Sequence, residues 1–140
     1  MKDACAYGFG ARVSGDSLEQ VIEQVKAALG EVGFGVLTQI DVHTTFKAKL
    51  DIEHRPYSIL GACNPGLAQR ALETEPHVGL LMPCNVVVQA AEDGFDVSII
   101  DAHSIKPLIA EDNPARGVMD EADVLLRKAL SILSNAGGDK

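Results

Sequence analysis

The chain has no tryptophan, and aromatic residues make up only 4% of its 140 positions, so any core it builds must be aliphatic. Clustered cations are also missing. The net charge is -8, and among the scattered basic residues only Lys47 with Lys49 and Arg127 with Lys128 sit close together. That argues against nucleic acid as a partner, because a phosphate backbone calls for grouped Lys and Arg. No stretch approaches the ~18 uninterrupted apolar residues of a bilayer span, so no membrane partner is expected. Residues 1–13 lack the apolar run and cleavage pattern of a signal peptide. Cysteines number three, an odd count without disulfide-framework spacing. The expected setting is therefore reducing and cytoplasmic. There is no P-loop, dinucleotide fingerprint, Gly-x-Ser-x-Gly or paired-carboxylate pattern, and no internal repeat.

What the chain does have is enough apolar material for one domain. Hydrophobic residues make up 46% of it, and the length suits a single core. The expected organisation is one α+β domain over residues 1–134 with a frayed tail at 135–140. Residues 4–13 alternate Cys5, Tyr7, Phe9, Ala11 and Val13 on one face, as in a strand, which places Cys5 in the core. Gly8 and Gly10 on the other face imply close approach of a helix or a partner. Ser17 and Gln20 form a capping-box pattern. Leu18, Val21, Ile22, Val25, Leu29 and Val32 then follow at helical spacing, and Gly33 is the stop.

Phe34–Ile40 reads as a second strand, Thr45–Leu50 as a short helix and Tyr57–Ala62 as a buried third strand. Asn64-Pro65 starts a helix, with Asn as cap and Pro in the first turn. Val78–Met82 is apolar and Pro83 interrupts it. Asp93-Gly94 is a hairpin signal between Asn85–Ala91 and Phe95–Ile100. A last helix follows Asn113-Pro114, with Val118, Ala122, Leu125, Ala129 and Ile132 or Leu133 facing inward. These elements predict a mixed, mostly antiparallel sheet with helices on one face. The uncovered face makes a homodimer the expected partner arrangement.

Two segments stand out for chemistry: Gly61-Ala62-Cys63-Asn64-Pro65 and Met82-Pro83-Cys84-Asn85-Val86. Each sets a cysteine and then an asparagine at the end of an apolar run. Cys63 immediately precedes a helix start, where free N–H groups and the dipole favour a thiolate. If Val78–Met82 is a strand parallel to the third, a right-handed crossover brings Cys84 to the same sheet edge as Cys63. If residues 78–91 run antiparallel as one strand, that argument lapses.

Close thiols at that edge would suit a reversible disulfide, or a soft transition metal shared with His77. Equally, each cysteine fits the role of a small buried hydrophobe. Asn64 reads as a helix cap and Asn85 as a group that satisfies backbone at a bulge; either amide also suits a small-molecule ligand. Lys47 and Lys49, with Thr44 and Thr45, form an anion-binding lip or a solvated helix face. His43, His54 and His103 lie in polar segments without partners at ligand spacing. Two functions remain open: a binding module for a small ligand or soft metal around Cys63 and Cys84, and a dithiol redox protein using the same pair.

The run Val36-Leu37-Thr38-Gln39-Ile40-Asp41-Val42, the run Phe46–Leu50, and the two cysteine segments with their flanks resemble the domain of unknown function 302 family. The similarity is to its branch with Ala-Cys-Asn-Pro and Leu-Pro-Cys-Asn-Val motifs. Met82 stands where that branch has Leu, a volume-conserving difference. The resemblance implies a compact α+β domain, often dimeric, and carries no assigned activity.

Overall fold

A computed structural model describes residues 2–137. In chain order the elements are β1 (Lys2–Cys5), β2 (Gly8–Val13), α1 (Leu18–Glu31), β3 (Gly35–Asp41), α2 (Val42–Leu50), β4 (Tyr57–Cys63) and α3 (Pro65–Thr74). A 3₁₀ segment (Pro76–Leu81) leads to β5 (Cys84–Ala91) and β6 (Gly94–Ile100). Then come α4 (Ala102–Ile105), a 3₁₀ turn (Lys106–Leu108) and α5 (Ala115–Gly137). The strands form one sheet in the order β1-β2-β6-β5-β4-β3. The α+β class is as expected. Every ladder in the sheet is antiparallel, however, so the mixed character is not seen.

Local chemistry explains the element boundaries. Ser17 caps α1 by accepting the N–H of Gln20 at 3.1 Å, and Gly33 leaves the helix at φ +87°, a left-handed angle that disfavours a side chain. The β5–β6 hairpin turns through Glu92 and Asp93, with Ala91 and Gly94 paired across it. α5 is helical through Gly137, past the expected tail boundary at 135; residues 138–140 lie outside the described residues.

The core lies between one sheet face and the helices. Strand register aligns Phe9, Ile99, Val86 and Leu60 in one row across four strands, and all four are buried. The period-two alternation of strands puts this row and its neighbours on the same side. α1 covers them with Leu18, Val21, Ile22, Val25, Ala28 and Leu29, its 3.6-period face. α5 adds Val118, Met119, Ala122, Leu126, Ala129, Leu130 and Leu133. Buried Ser58 is satisfied by donating its hydroxyl hydrogen to Asp41 at 2.6 Å, and that bond holds the Asp41 carboxyl below its ordinary value.

Three expectations need correction here. The run 4–13 is two strands, because the chain reverses at Ala6-Tyr7; β1 then lies at the sheet edge and Cys5 is exposed rather than in the core. Gly10 is small because of the neighbouring strand, not a helix: a Cβ there would meet the backbone of Val97 and Ser98. Val78–Met82 is no strand. Residues 78–81 lie in the 3₁₀ segment and Met82 follows it in extended conformation; Val78 is buried and Leu80 is 85% exposed.

At the β3 edge, Leu37, Ile40, Leu50 and Ile52 are all exposed, and α2 buries none of its residues.

Candidate functional site

β4 ends at Cys63 and hands the chain to α3. Asn64 is the cap: its side-chain oxygen accepts the Leu67 N–H at 3.2 Å, with Pro65 in the first turn. The 3₁₀ segment then returns the chain through Met82-Pro83, whose peptide is cis, to the start of β5. The antiparallel register pairs Ala62 with Cys84. The end of β4 therefore lies beside the beginning of β5, and Cys63 and Cys84 occupy neighbouring strands one position out of step.

The expected route to this neighbourhood was a parallel crossover ending at Met82, and it does not exist. The two cysteines are neighbours for another reason. β5 begins at Cys84 instead of running from residue 78, and an antiparallel partner sets its beginning against its neighbour's end.

Both cysteines line one cavity of about 40 Å³. Its wall is completed by Met82 and Pro83 ahead of β5, by Leu67, Ala68 and Ala71 of α3, by Val118 and Ala122 of α5, and by Phe34, Ala62 and Asn64. Cys63 and Cys84 are half-buried free thiols. Burial pushes the Cys84 thiol up to about 11, and the charge of neighbouring Cys63 adds to the rise.

The other candidates lie elsewhere. Asn85 is exposed on β5, opposite Gly61, and does not line the cavity. His77 is 87% exposed at the side chain, with Nδ1 3.9 Å from Glu75. It is not on the cavity wall. Lys47 and Lys49 sit on exposed α2; Lys47 pairs with Asp51 at 3.1 Å and Glu53 at 2.9 Å. His43 serves the backbone, its Nδ1 accepting the Tyr57 N–H at 3.0 Å.

Two features are not expected from the sequence. By sequence Met82 is a conservative replacement for Leu, yet it forms part of the cavity wall. The second is a cluster beside α5, where ligand atoms of Asp101, His103 and Asp123 lie within 4.8 Å of one another. Its signal was the Asp101-x-His103 pair together with the helical spacing of Asp120, Asp123 and Arg127. A cation already occupies this cluster: Arg127 Nε donates to Asp123 at 3.0 Å, its guanidinium lies 3.4 Å from Asp101, and it stacks 4.2 Å from the Phe9 ring centroid. Lys106, at 2.9 Å, holds the Asp120 carboxyl below its ordinary value.

Residues 10–133 match the family model described as "Domain of unknown function DUF302". A crystal structure of an uncharacterized conserved DUF302 protein from Bacillus stearothermophilus superposes with a TM-score of 0.81. Identity is 23%, over 92% of this chain and 99% of that one, so the likeness is one of fold. No curated protein matches. Among the described residues, no helix is long and apolar enough to cross a membrane.

Proposed function

The chain belongs to the DUF302 family, and we propose that it is a dimeric binding module whose site is the cavity shared by Cys63 and Cys84. The observation that carries this reading is that Cys63 and Cys84 line one apolar cavity. Volume then narrows the ligand. Pockets for metabolites span roughly 300–1,000 Å³, whereas this cavity offers about 40 Å³. That is room for an ion or a ligand of very few atoms, and a soft metal suits the donors. A reducing, cytoplasmic setting agrees with thiols kept free.

The test is protection from alkylation. Silver(I) is added to the reduced protein before iodoacetamide, and labelled cysteines are mapped by mass spectrometry. Cys63 and Cys84 are expected to be shielded together while exposed Cys5 is labelled. Equal labelling with and without silver defeats the reading.

A dithiol redox carrier is the second reading, because the antiparallel register sets the end of β4, with Cys63, beside the start of β5, with Cys84. It predicts that mild oxidant removes both thiols and that reductant restores them.

The dimer reading is supported by the exposed Leu37, Ile40, Leu50 and Ile52 and by an α2 without buried residues, since exposed apolar side chains mark interfaces where they cluster. Sedimentation is expected to give the mass of two chains for the native protein and of one for a Leu37→Asp, Ile40→Asp variant. A native protein that sediments as a single chain at every concentration ends this part of the proposal.

A further inference from the structure

We infer that the cavity takes a soft monovalent cation of the copper(I) class, held by the sulfurs of Cys63 and Cys84 and by the thioether of Met82. This rests on the binding reading above and names its ligand. The donor set decides the matter. Apart from Asn64, no side chain on the wall carries oxygen or nitrogen, and the Asn64 oxygen is engaged with the Leu67 N–H.

Each competing occupant lacks donors here. Calcium and magnesium require a shell of oxygens. Structural zinc takes four ligands, and iron–sulfur clusters are held by four cysteines or close equivalents. Thiolate and thioether sulfur, by contrast, select copper(I), an ion that accepts two or three donors. Met82 supplies the third from the residue two before Cys84, on the same wall.

Size and charge agree. A cavity of about 40 Å³ admits a single ion. Each copper–thiolate bond releases one thiol proton to solvent, so two thiolates around one monovalent cation leave one negative charge. The α3 N-terminus, which begins at Pro65 beside Cys63, stabilises negative charge there.

The experiment uses the full reduced chain without oxygen. Copper(I) is titrated in competition with a chromophoric copper(I) chelator. In a parallel sample, silver(I) is added while the methionine methyl resonances are followed by NMR. The expected result is one copper(I) per chain and a methyl shift at Met82 larger than at Met119. Met82→Leu, which conserves volume, is expected to bind at least about tenfold more weakly, the scale on which even supporting residues of metal sites act.

The methyl shift in the native protein keeps the test decisive if that variant folds poorly. An unmoved Met82 methyl, an unweakened Met82→Leu, or zinc(II) competing on equal terms overturns this inference while shielded thiols still uphold the binding reading. Loss of thiol shielding as well overturns both.

Discussion

Gly61→Ala is expected to lose about 1–3 kcal/mol of stability, the usual cost of forcing atoms into a packed site, and to lose ion binding with it. Gly61 lies in β4 between Leu60 and Ala62, with Asn85 opposite on one neighbour and Thr38 on the other. A Cβ at this position would stand 2.7 Å from Pro83 Cγ and closer still to Thr38 Oγ1. Thr38 can rotate its hydroxyl away. The proline ring cannot, since it is closed onto the backbone between Met82 and Cys84. Relief therefore requires Pro83 to move, and Pro83 carries both of its sulfur-bearing neighbours with it. One methyl group would thus disturb the β4–β5 ladder at the end that forms the cavity.

Gly79→Ala is the control. Nothing lies within 4 Å of a Cβ at Gly79, so its effect should stay within about 0.5 kcal/mol. Urea unfolding monitored by circular dichroism measures both variants, and silver shielding of the thiols reads out the site. If Gly61→Ala unfolds at the same urea concentration as Gly79→Ala and shields its thiols normally, the cavity does not depend on this close approach.

The sequence made some of this architecture readable because the signals were local. Ser17, Asn64-Pro65 and Gly33 act through hydrogen bonds and backbone angles within a few residues of themselves, and each does in the structure what its chemistry dictates. The α1 stripe is equally self-contained. Where meaning depends on a distant neighbour, the residues are ambiguous.

Val78–Met82 is a short apolar run, and such a run does not by itself distinguish a strand from a turn of helix. Its role as a 3₁₀ link was fixed by β5 starting late, at Cys84. Cys5 alternates with Tyr7 and Phe9 on paper, but a reversal at Ala6-Tyr7 sends it to the sheet edge. On α5 the apolar pattern placed Leu125, and Ile132 or Leu133, inward; Leu133 is buried while Leu125 and Ile132 are only partly so, and the helix buries Leu126 and Leu130 as well, along with the charged Asp123. Asp123 is paid for by Arg127, whose own position depends on Phe9, more than a hundred positions earlier. The cysteine motifs were legible as a pair. Met82 was not, because a methionine in an apolar run signals packing until a cavity is seen beside it.

At neutral pH, Cys84 is expected to alkylate about 100-fold more slowly than an unperturbed thiol. Burial, reinforced by Cys63, carries it from 9.0 to about 11. Two units leave about one-hundredth of the thiolate, the form that reacts. Poor access also slows alkylation, so the pH profile is the discriminating measurement. The Cys84 rate should climb about tenfold per pH unit and continue towards 11, whereas in urea it should level off near the value of a free thiol. A plateau near 9 in the folded protein removes the argument.

The sign for stability follows from the same shift. The folded state keeps the Cys84 proton longer than the unfolded chain, so this contribution is present below about 9 and is lost as pH rises towards 11. The consequence bears on the two functional readings. A resolving thiol must attack as thiolate, and Cys84 holds very little of that form near neutrality. A metal ion faces no such limit, because binding itself drives the proton off sulfur. The burial that makes Cys84 a slow redox partner therefore still permits it to serve as a ligand, and the pH profile of one cysteine weighs one function against the other.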